Sequence, residues 1–146
     1  MWTVKSFQEL TPSELYSYLQ LRVNVFIVEQ TCPYPELDGY DAESLHLAYM
    51  ENQELLAYAR ILPPGVKYNR TSIGRVIVHQ KARGKGLAKQ LMEQSIKTIE
   101  EKWPGEEIQL QAQTYLKQFY GSFGFIEVSE EYDEDGIPHV DMVKPK

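Results

Sequence analysis

Two glycines close to a group of basic side chains give the clearest chemical signal in this sequence. Gly84 and Gly86 lie between an apolar run at 76–78, which predicts a strand, and a long amphipathic segment, which predicts a helix. Glycine allows the backbone to approach a ligand closely, and the free N–H groups at a helix start favour an anion. Four basic residues with no acid among them surround the glycines: Lys81, Arg83, Lys85 and Lys89. The sequence therefore predicts a phosphate-binding turn, with a solvated basic helix start as the simpler alternative.

The spacing of the glycines argues against two common nucleotide-binding motifs. No Gly-Lys-Ser or Gly-Lys-Thr closes a G-x-x-x-x-G pattern, and Lys89 stands where a dinucleotide-binding motif has its third glycine. Nucleoside triphosphates and NAD are therefore poor fits, so we expect a different phosphate-containing ligand.

A tyrosine further along the chain could supply a proton. Tyr120 stands four residues before the pair Gly124-Phe125, on a short predicted helix. A phenol with an unperturbed pKa of about 10 can protonate a thiolate as it leaves a thioester. The alternative is that Tyr120 only packs beside Phe119 and Phe123.

Together the two motifs resemble those of the GNAT acyltransferases. Arg-Gly-Lys-Gly-Leu-Ala at 83–88 resembles the family's pyrophosphate loop, although Lys81 replaces the usual Gln or Arg. The resemblance implies that the main chain of 76–78 pairs with the pantetheine of acetyl-CoA and that Tyr120 is the general acid near its sulfur. The cofactor-binding residues that it implies are Val76, Ile77, Val78, Arg83, Gly84, Lys85, Gly86, Leu87, Ala88, Gln113, Phe119, Tyr120 and Phe123.

Most of the remaining chain resembles the ElaA-like branch of that family. The residues that carry this resemblance are 21–30, 32–41, His46, 58–60, 120–125 and 136–139. It implies an N-acetyltransferase that moves the acetyl group directly to a primary amine, on a small molecule or a peptide, without a metal ion. A homodimer is also compatible with the family.

An ammonium acceptor must lose a proton before it attacks, so we expect a general base. The candidates are Glu29 and His46, with Glu127 and His79 behind them. The alternatives are an ion pair of Glu29 with Arg22 or Arg60 and a purely structural His46. The acidic segment 29–43 favours a cationic acceptor, and an ordinary solvated loop is equally compatible with it.

Two other functions remain open. The spacing of Arg22, Val25-Phe26, Glu29, Asp38 and Asp41 resembles acyl-homoserine-lactone synthases, which share the fold but are longer. A CoA-binding sensor or interaction module without turnover is the non-enzymatic alternative. Cys32 has no identifiable base, and His46, His79 and His139 lack metal-ligand spacing.

The elements that would position these residues alternate irregularly. We expect strands at 2–7, 45–50, 54–62, 72–78, 107–113, 125–132 and 138–143, and helices from about 12 to 31, at 85–103 and at 115–122, with turns at Asn52-Gln53 and Asp135-Gly136. This order predicts an α+β fold, and the family resemblance implies a central mixed, mostly antiparallel sheet flanked by helices.

Composition is consistent with one domain, 1–146. The net charge of −6 argues against a nucleic-acid partner, and no run approaches the roughly 20 apolar residues that span a membrane. With a single cysteine and no recognisable secretion signal, we expect a cytoplasmic protein.

Overall fold

Eight strands form one sheet in the computed structural model, which describes residues 1–146. The strand order is β1-β2-β3-β4-β5-β8-β6, and β7 also pairs with β8. The strands are β1 Trp2–Ser6, β2 Leu45–Glu51, β3 Glu54–Leu62, β4 Thr71–Val78, β5 Ile108–Gln113, β6 Ile126–Glu127, β7 Tyr132–Glu134 and β8 Ile137–Lys144. The helices are α1 Pro12–Val23, α2 Leu87–Lys102 and α3 Lys117–Gly121. Only β4 and β5 pair in parallel, so the predicted α+β class with a mixed, mostly antiparallel sheet is confirmed.

Helix α1 begins as its sequence predicts. The Thr11 hydroxyl accepts the N–H of Glu14, whose carboxylate accepts the N–H of Thr11. The predicted helix continues beyond α1, but residues Asn24–Glu29 wind as a π-helix, in which the N–H of Gln30 donates to the carbonyl of Val25. Val25 of this segment packs into a small apolar cluster with Tyr58 and Ile77 of the sheet. Glu29 is the last residue of the segment.

The main core lies between the sheet and α2. Leu91, Met92, Ile96 and Ile99 recur at helical spacing and are buried against alternate residues of β3, β4 and β5. This is the face that the sequence predicts, and it places the first turn of α2 at the end of β4.

Two tight hairpins match the predicted turns. Asn52 and Gln53 connect β2 to β3, and Asp135 and Gly136 connect β7 to β8, all with positive φ as a type I′ turn requires. The predicted single strand at 125–132 is instead two short strands.

The break between β6 and β7 has a local cause. The Ser129 hydroxyl accepts the N–H of Asp141, a main-chain donor that a continuous strand would otherwise pair. A side chain thus replaces a strand neighbour at this point.

Strands β4 and β5 separate after their first residues. Their pairing consists of Thr71 with Ile108 and Ser72 with Gln109, whereas β5 stays paired with β8 as far as Gln113. The separation leaves one edge of β4 without a strand neighbour over its second half and opens a cleft in the middle of the sheet. None of the helices is long and apolar enough to cross a membrane.

Candidate active site

A cleft of about 720 Å³ follows β4 from Ser72 to Val78, in the opening between β4 and β5. Its volume is within the range of small-molecule sites, roughly 300–1,000 Å³. Polar and apolar side chains line it in similar numbers. The cleft can therefore hold a ligand that has both an apolar part and charged groups.

A bulge in β4 shapes the middle of the cleft. Arg60 pairs with Gly74 and Tyr58 with Ile77, so two residues, Arg75 and Val76, lie opposite one residue of β3. Arg75 has a φ of 51°, which is unusual for a residue other than glycine. Bulges redirect a strand and expose main-chain groups. All three residues expected to contact pantetheine, 76–78, line the cleft.

The glycine turn lies at the end of β4. Gly84 and Gly86 have φ values of 80° and 79°, and open space surrounds the position where each would carry a Cβ. Helix α2 begins at Leu87 without a side chain that caps its first N–H groups. Main-chain donors at this turn are thus free to bind an anion, as the sequence predicts.

The basic residues of this turn are only partly engaged. Lys81 pairs with Glu54, and Arg83 lines the cleft and donates from Nε to the carbonyl of Val78 at 3.0 Å. Lys85 and Lys89 are exposed without a carboxylate partner. The roles of residues 83–88 in cofactor binding stay predictions.

Tyr120 is buried at the cleft. Its ring lies edge-on to Phe119 and Phe125 at centroid distances of 5.2 and 6.3 Å. Its hydroxyl makes no hydrogen bond within the chain, although Tyr120 is among the lining residues. Burial raises the pKa of Tyr120 to about 12, with a smaller contribution from Tyr115. The phenol therefore stays protonated at neutral pH.

The other aromatic candidates lie away from the cleft. Phe119 and Phe123 stand edge to face at 5.3 Å and pack against the main core, so their role in cofactor binding stays a prediction. Gln113, by contrast, lines the cleft at the end of β5.

Glu29 reaches the cleft but is held in an ion pair. Its two carboxylate oxygens contact the two terminal nitrogens of Arg83 at 2.9 and 3.2 Å. The expected alternative of an ion pair with Arg22 or Arg60 is wrong in its partner, because both of those arginines bind other carboxylates.

His46 lies outside the cleft. Its ring is fully buried; Nδ1 accepts the hydroxyl of Tyr58 at 2.6 Å, and Nε2 donates to the carbonyl of Asp41 at 3.0 Å. Burial lowers the pKa of His46. With both nitrogens engaged, the ring matches the structural alternative, and a role of His46 as the base gains no support from this geometry.

The two remaining candidate bases also lie outside the cleft. Glu127 is exposed on β6 and 3.4 Å from Lys117. His79 accepts the N–H of Lys81 at 3.2 Å and thereby caps a short 3₁₀ turn. A role of either residue as the base therefore gains no support from the geometry and stays a prediction.

The acidic segment 29–43 is mostly neutralised. Glu36, Asp38 and Asp41 bind the guanidinium groups of three arginines at distances of 2.7 to 3.3 Å, and these arginines are Arg22, Arg60 and Arg75. The segment is therefore neither an ordinary solvated loop nor a free acidic surface. The expectation of a cationic acceptor loses its basis in this loop.

His139 is a cleft residue that the sequence did not single out as a base. It pairs across the sheet with Gln113, and its ring stacks on Tyr132 at 6.2 Å. Nδ1 lies 2.8 Å from the carbonyl of Ile137, which can only accept, so Nδ1 carries the proton. Nε2 has no hydrogen-bond partner within the chain. The turn Asp135-Gly136 indicated the hairpin but not which way this ring points.

The comparisons with known proteins agree with this geometry. Residues 14–146 match the family model described as an acetyltransferase (GNAT) domain. Protein ElaA of Escherichia coli (strain K12) is 46% identical over 145 residues, which cover 98% of this chain and 95% of that protein. The crystal structure of an acyl-CoA N-acyltransferase from Pseudomonas aeruginosa is 44% identical, with a TM-score of 0.96 over 99% of this chain and 98% of that one.

A more distant structure shares only the fold. The CoA-dependent acyl-homoserine lactone synthase BjaI is 16% identical, with a TM-score of 0.81 over 100% of this chain and 83% of that chain. The family model and the close relatives carry the assignment. This chain belongs to the GNAT family of acyltransferases, in its ElaA-like branch.

Proposed function

We propose that this protein transfers the acetyl group of acetyl-CoA directly to a primary amine, on a small molecule or a peptide, with Tyr120 as the general acid. One observation carries the proposal. The Tyr120 hydroxyl has no partner within the chain and belongs to the cleft that also exposes the unpaired edge of β4. A proton donor thus lies in the same cavity as the main chain that would hold the acyl donor.

The cofactor fits the free groups at this end of the cleft. Residues 76–78 offer a strand edge to the amides of pantetheine, in the manner of an added strand. The glycine turn and the uncapped start of α2 offer N–H groups to the pyrophosphate. Gln113, on the opposite side of the opening, is a further polar contact.

Tyr120 then completes the chemistry. The deprotonated amine attacks the thioester carbonyl, and Tyr120 protonates the sulfur as the carbon–sulfur bond breaks. The new amide nitrogen releases the proton that restores the phenol. The products are an N-acetyl amide and the free thiol, with no covalent bond to the protein.

His139 is the base that the geometry favours. His139 lines the cleft, its Nδ1 donates to the carbonyl of Ile137, and its Nε2 has no partner within the chain, so Nε2 of the neutral ring could take up a proton. Glu29 is the second candidate, since it also lines the cleft, but its oxygens are occupied by Arg83. Either group would accept the proton of the ammonium, directly or through water.

We also propose that the protein acts in the cytoplasm. Cys32 is unpaired and buried, and its thiol donates to the carbonyl of Asp135 at 2.8 Å. A single reduced cysteine is consistent with a reducing compartment.

No specific observation favours the lactone synthase or the CoA-binding sensor, the two alternative functions. Arg22 and Asp41, two residues of the pattern that suggested a lactone synthase, bind each other at 2.7 Å in the ion-pair network behind the cleft wall. A sensor without turnover would bind CoA equally well but would not need an unpartnered phenol in the cavity.

The test is thiol release from acetyl-CoA with a panel of polyamines, aminoglycosides, amino acids and peptides. Turnover with at least one amine, lost in Tyr120→Phe at unchanged CoA affinity, supports the proposal. CoA binding without release on any member favours the sensor. Absence of CoA binding by calorimetry on the folded protein overturns both.

A further inference from the structure

Lys67 is the one cation lining the cleft that has no acidic partner. The other cleft cations, Arg60, Arg75 and Arg83, each contact a carboxylate. No carboxylate oxygen lies within 4.0 Å of the Lys67 ammonium. Lys67 is half-buried, and it makes no hydrogen bond in the chain. Its positive charge is therefore available to a ligand.

The surroundings of Lys67 hold its ammonium in place without neutralising it. Its Nζ lies 5.7 Å from the ring centroid of Tyr40 and 5.5 Å from that of Tyr68. Burial lowers the pKa of Lys67, and Arg60 and Arg75 act in the same direction. A half-buried charge without a partner is costly. A bound anion would remove most of that cost.

Among the cations around the cleft, Lys67 carries the positive charge that no carboxylate pairs with. The three arginines of the ion-pair network are matched by three carboxylates, so that network adds no net charge to the wall. Asp38 attracts Lys67, but its two oxygens bind Arg60 and Arg75. Glu134 also attracts it, from the exposed tip of the β7–β8 hairpin. The wall around Lys67 thus carries one positive charge without an ion-pair partner, and the tip of the β7–β8 hairpin adds two exposed acids to the lining, Glu134 and Asp135.

Lys67 lines the cleft from the loop before β4, beside the rings of Tyr40 and Tyr68. It precedes β4, whereas Arg83 follows β4, and the cleft runs along the strand from Ser72 to Val78. Six residues of strand at about 3.3 Å each span about 20 Å. The phosphates of CoA would bind at the glycine turn after β4, so Lys67 is left for the acceptor.

We propose that the acceptor is an amine that also carries a carboxylate, and that Lys67 binds this carboxylate while the amine points towards Tyr120. The inference rests on the proposed function, since it concerns the second substrate of that reaction.

The test compares acceptors in matched pairs. Glycine, β-alanine, γ-aminobutyrate and L-amino acids with larger side chains are each assayed against their carboxamides, with putrescine as a purely cationic acceptor. We expect a carboxylate form to be preferred in kcat/KM by about ten- to hundredfold, the range of one charge-assisted hydrogen bond. Equal rates for acid and amide, or a preference for putrescine, would overturn the inference.

Variants of Lys67 assign the preference to this side chain. Lys67→Met should lower kcat/KM for the carboxylate acceptor about ten- to hundredfold, leave its amide nearly unchanged and preserve CoA affinity. Lys67→Arg should keep the preference, and the exposed helix residue Lys97, changed to Met, is the matched control. An equal loss for acid and amide in Lys67→Met would contradict a role in carboxylate binding.

A binding measurement separates this inference from the proposed turnover. The protein loaded with CoA is titrated by calorimetry with the N-acetyl products of the same acids and amides. If no amine releases thiol but an N-acetyl acid binds and Lys67→Met abolishes that binding, the turnover is wrong and the carboxylate site stands. If thiol release occurs and no acid is preferred in either measurement, the turnover stands and the carboxylate site is wrong.

Discussion

Glu29 and Arg83 join the end of the π-helical segment to the glycine turn through two contacts, at 2.9 and 3.2 Å. Both side chains are partly exposed. Such a pair contributes about 0–1 kcal/mol to stability, because water screens the charges. The pair matters more for the cleft than for stability. It keeps the Glu29 carboxylate bound to Arg83 as long as no phosphate ligand binds that arginine.

We expect Glu29→Gln to have a small effect on catalysis. If His139 is the base, kcat/KM should fall by less than about threefold, a change within the energy of an exposed ion pair. His139→Gln should lower it by about 10²-fold or more at neutral pH, with recovery at high pH as the free amine becomes abundant. A large, pH-rescued loss in Glu29→Gln with an active His139→Gln would reverse the assignment.

Tyr120→Phe should remove the general acid and little else. The ring contacts with Phe119 and Phe125 are kept, and the hydroxyl has no partner in the chain to lose. We expect kcat to fall on the order of 10²- to 10⁴-fold while the CoA dissociation constant, measured by calorimetry, stays the same. Phe119→Leu is the matched control, and retention of full activity in Tyr120→Phe would contradict the proposal.

The pH profile should lack an alkaline fall in the accessible range. An acid must be protonated to act, and burial raises the pKa of Tyr120 to about 12. Activity should therefore rise as the amine loses its proton and then stay level at about pH 10, where an unperturbed phenol is already half ionised. Initial rates with a single amine across this range provide the measurement, and a decline centred near pH 10 would contradict it.

Local patterns predicted the elements more successfully than their interruptions. The helical spacing of Leu91, Met92 and Ile99 identified the buried face of α2, and Asp135-Gly136 identified a hairpin. The break at Ser129 and the bulge at Arg75 depend on partners distant in the chain, Asp141 and the strand β3. Neither leaves a mark in the periodicity of its own strand.

The candidate site shows the same contrast between features that a short motif indicates and features that depend on distant residues. Gly84 and Tyr120 belong to short motifs, so their types and spacing indicate a phosphate-binding turn and a proton donor from the sequence alone. The free Nε2 of His139 and the unpaired ammonium of Lys67 follow from what their neighbours bind. Partner choice of this kind requires the folded chain, and the two hydrogen bonds of the buried His46 ring are a further example.

Gly86→Ala should impair both stability and CoA binding. The φ of 79° is strained for a side chain, although nothing lies within 4 Å of the added Cβ. We expect a loss of about 1–2 kcal/mol in the free energy of unfolding and weaker CoA binding, since the turn would relax away from its anion-binding shape. Gly105→Ala, at a φ of 82° in equally open space after α2, should cost similar stability and leave CoA affinity intact. If both variants bind CoA with the same affinity, the glycine turn is not part of the CoA site.

The ion-pair network should make the fold sensitive to acid. Burial alone would raise the pKa of Asp38 and Asp41, but hydrogen bonds from Arg60 and Arg22 outweigh it and hold both values below the ordinary range. Carboxyls with a lowered pKa in the folded state add stability above their unfolded pKa of about 3.9, and this stability is lost as the pH falls below it.

Denaturation at a series of pH values therefore tests the network. We expect the free energy of unfolding to decrease steeply below about pH 4, and less steeply in Asp38→Asn, which is already destabilised at neutral pH. Arg22→Met should cost about 3 kcal/mol, at the lower end for a buried pair because Arg75 still binds Glu36 and Arg60 still binds Asp41. An Asp38→Asn protein with the same acid dependence as the unmodified chain would show that these carboxylates do not carry the sensitivity.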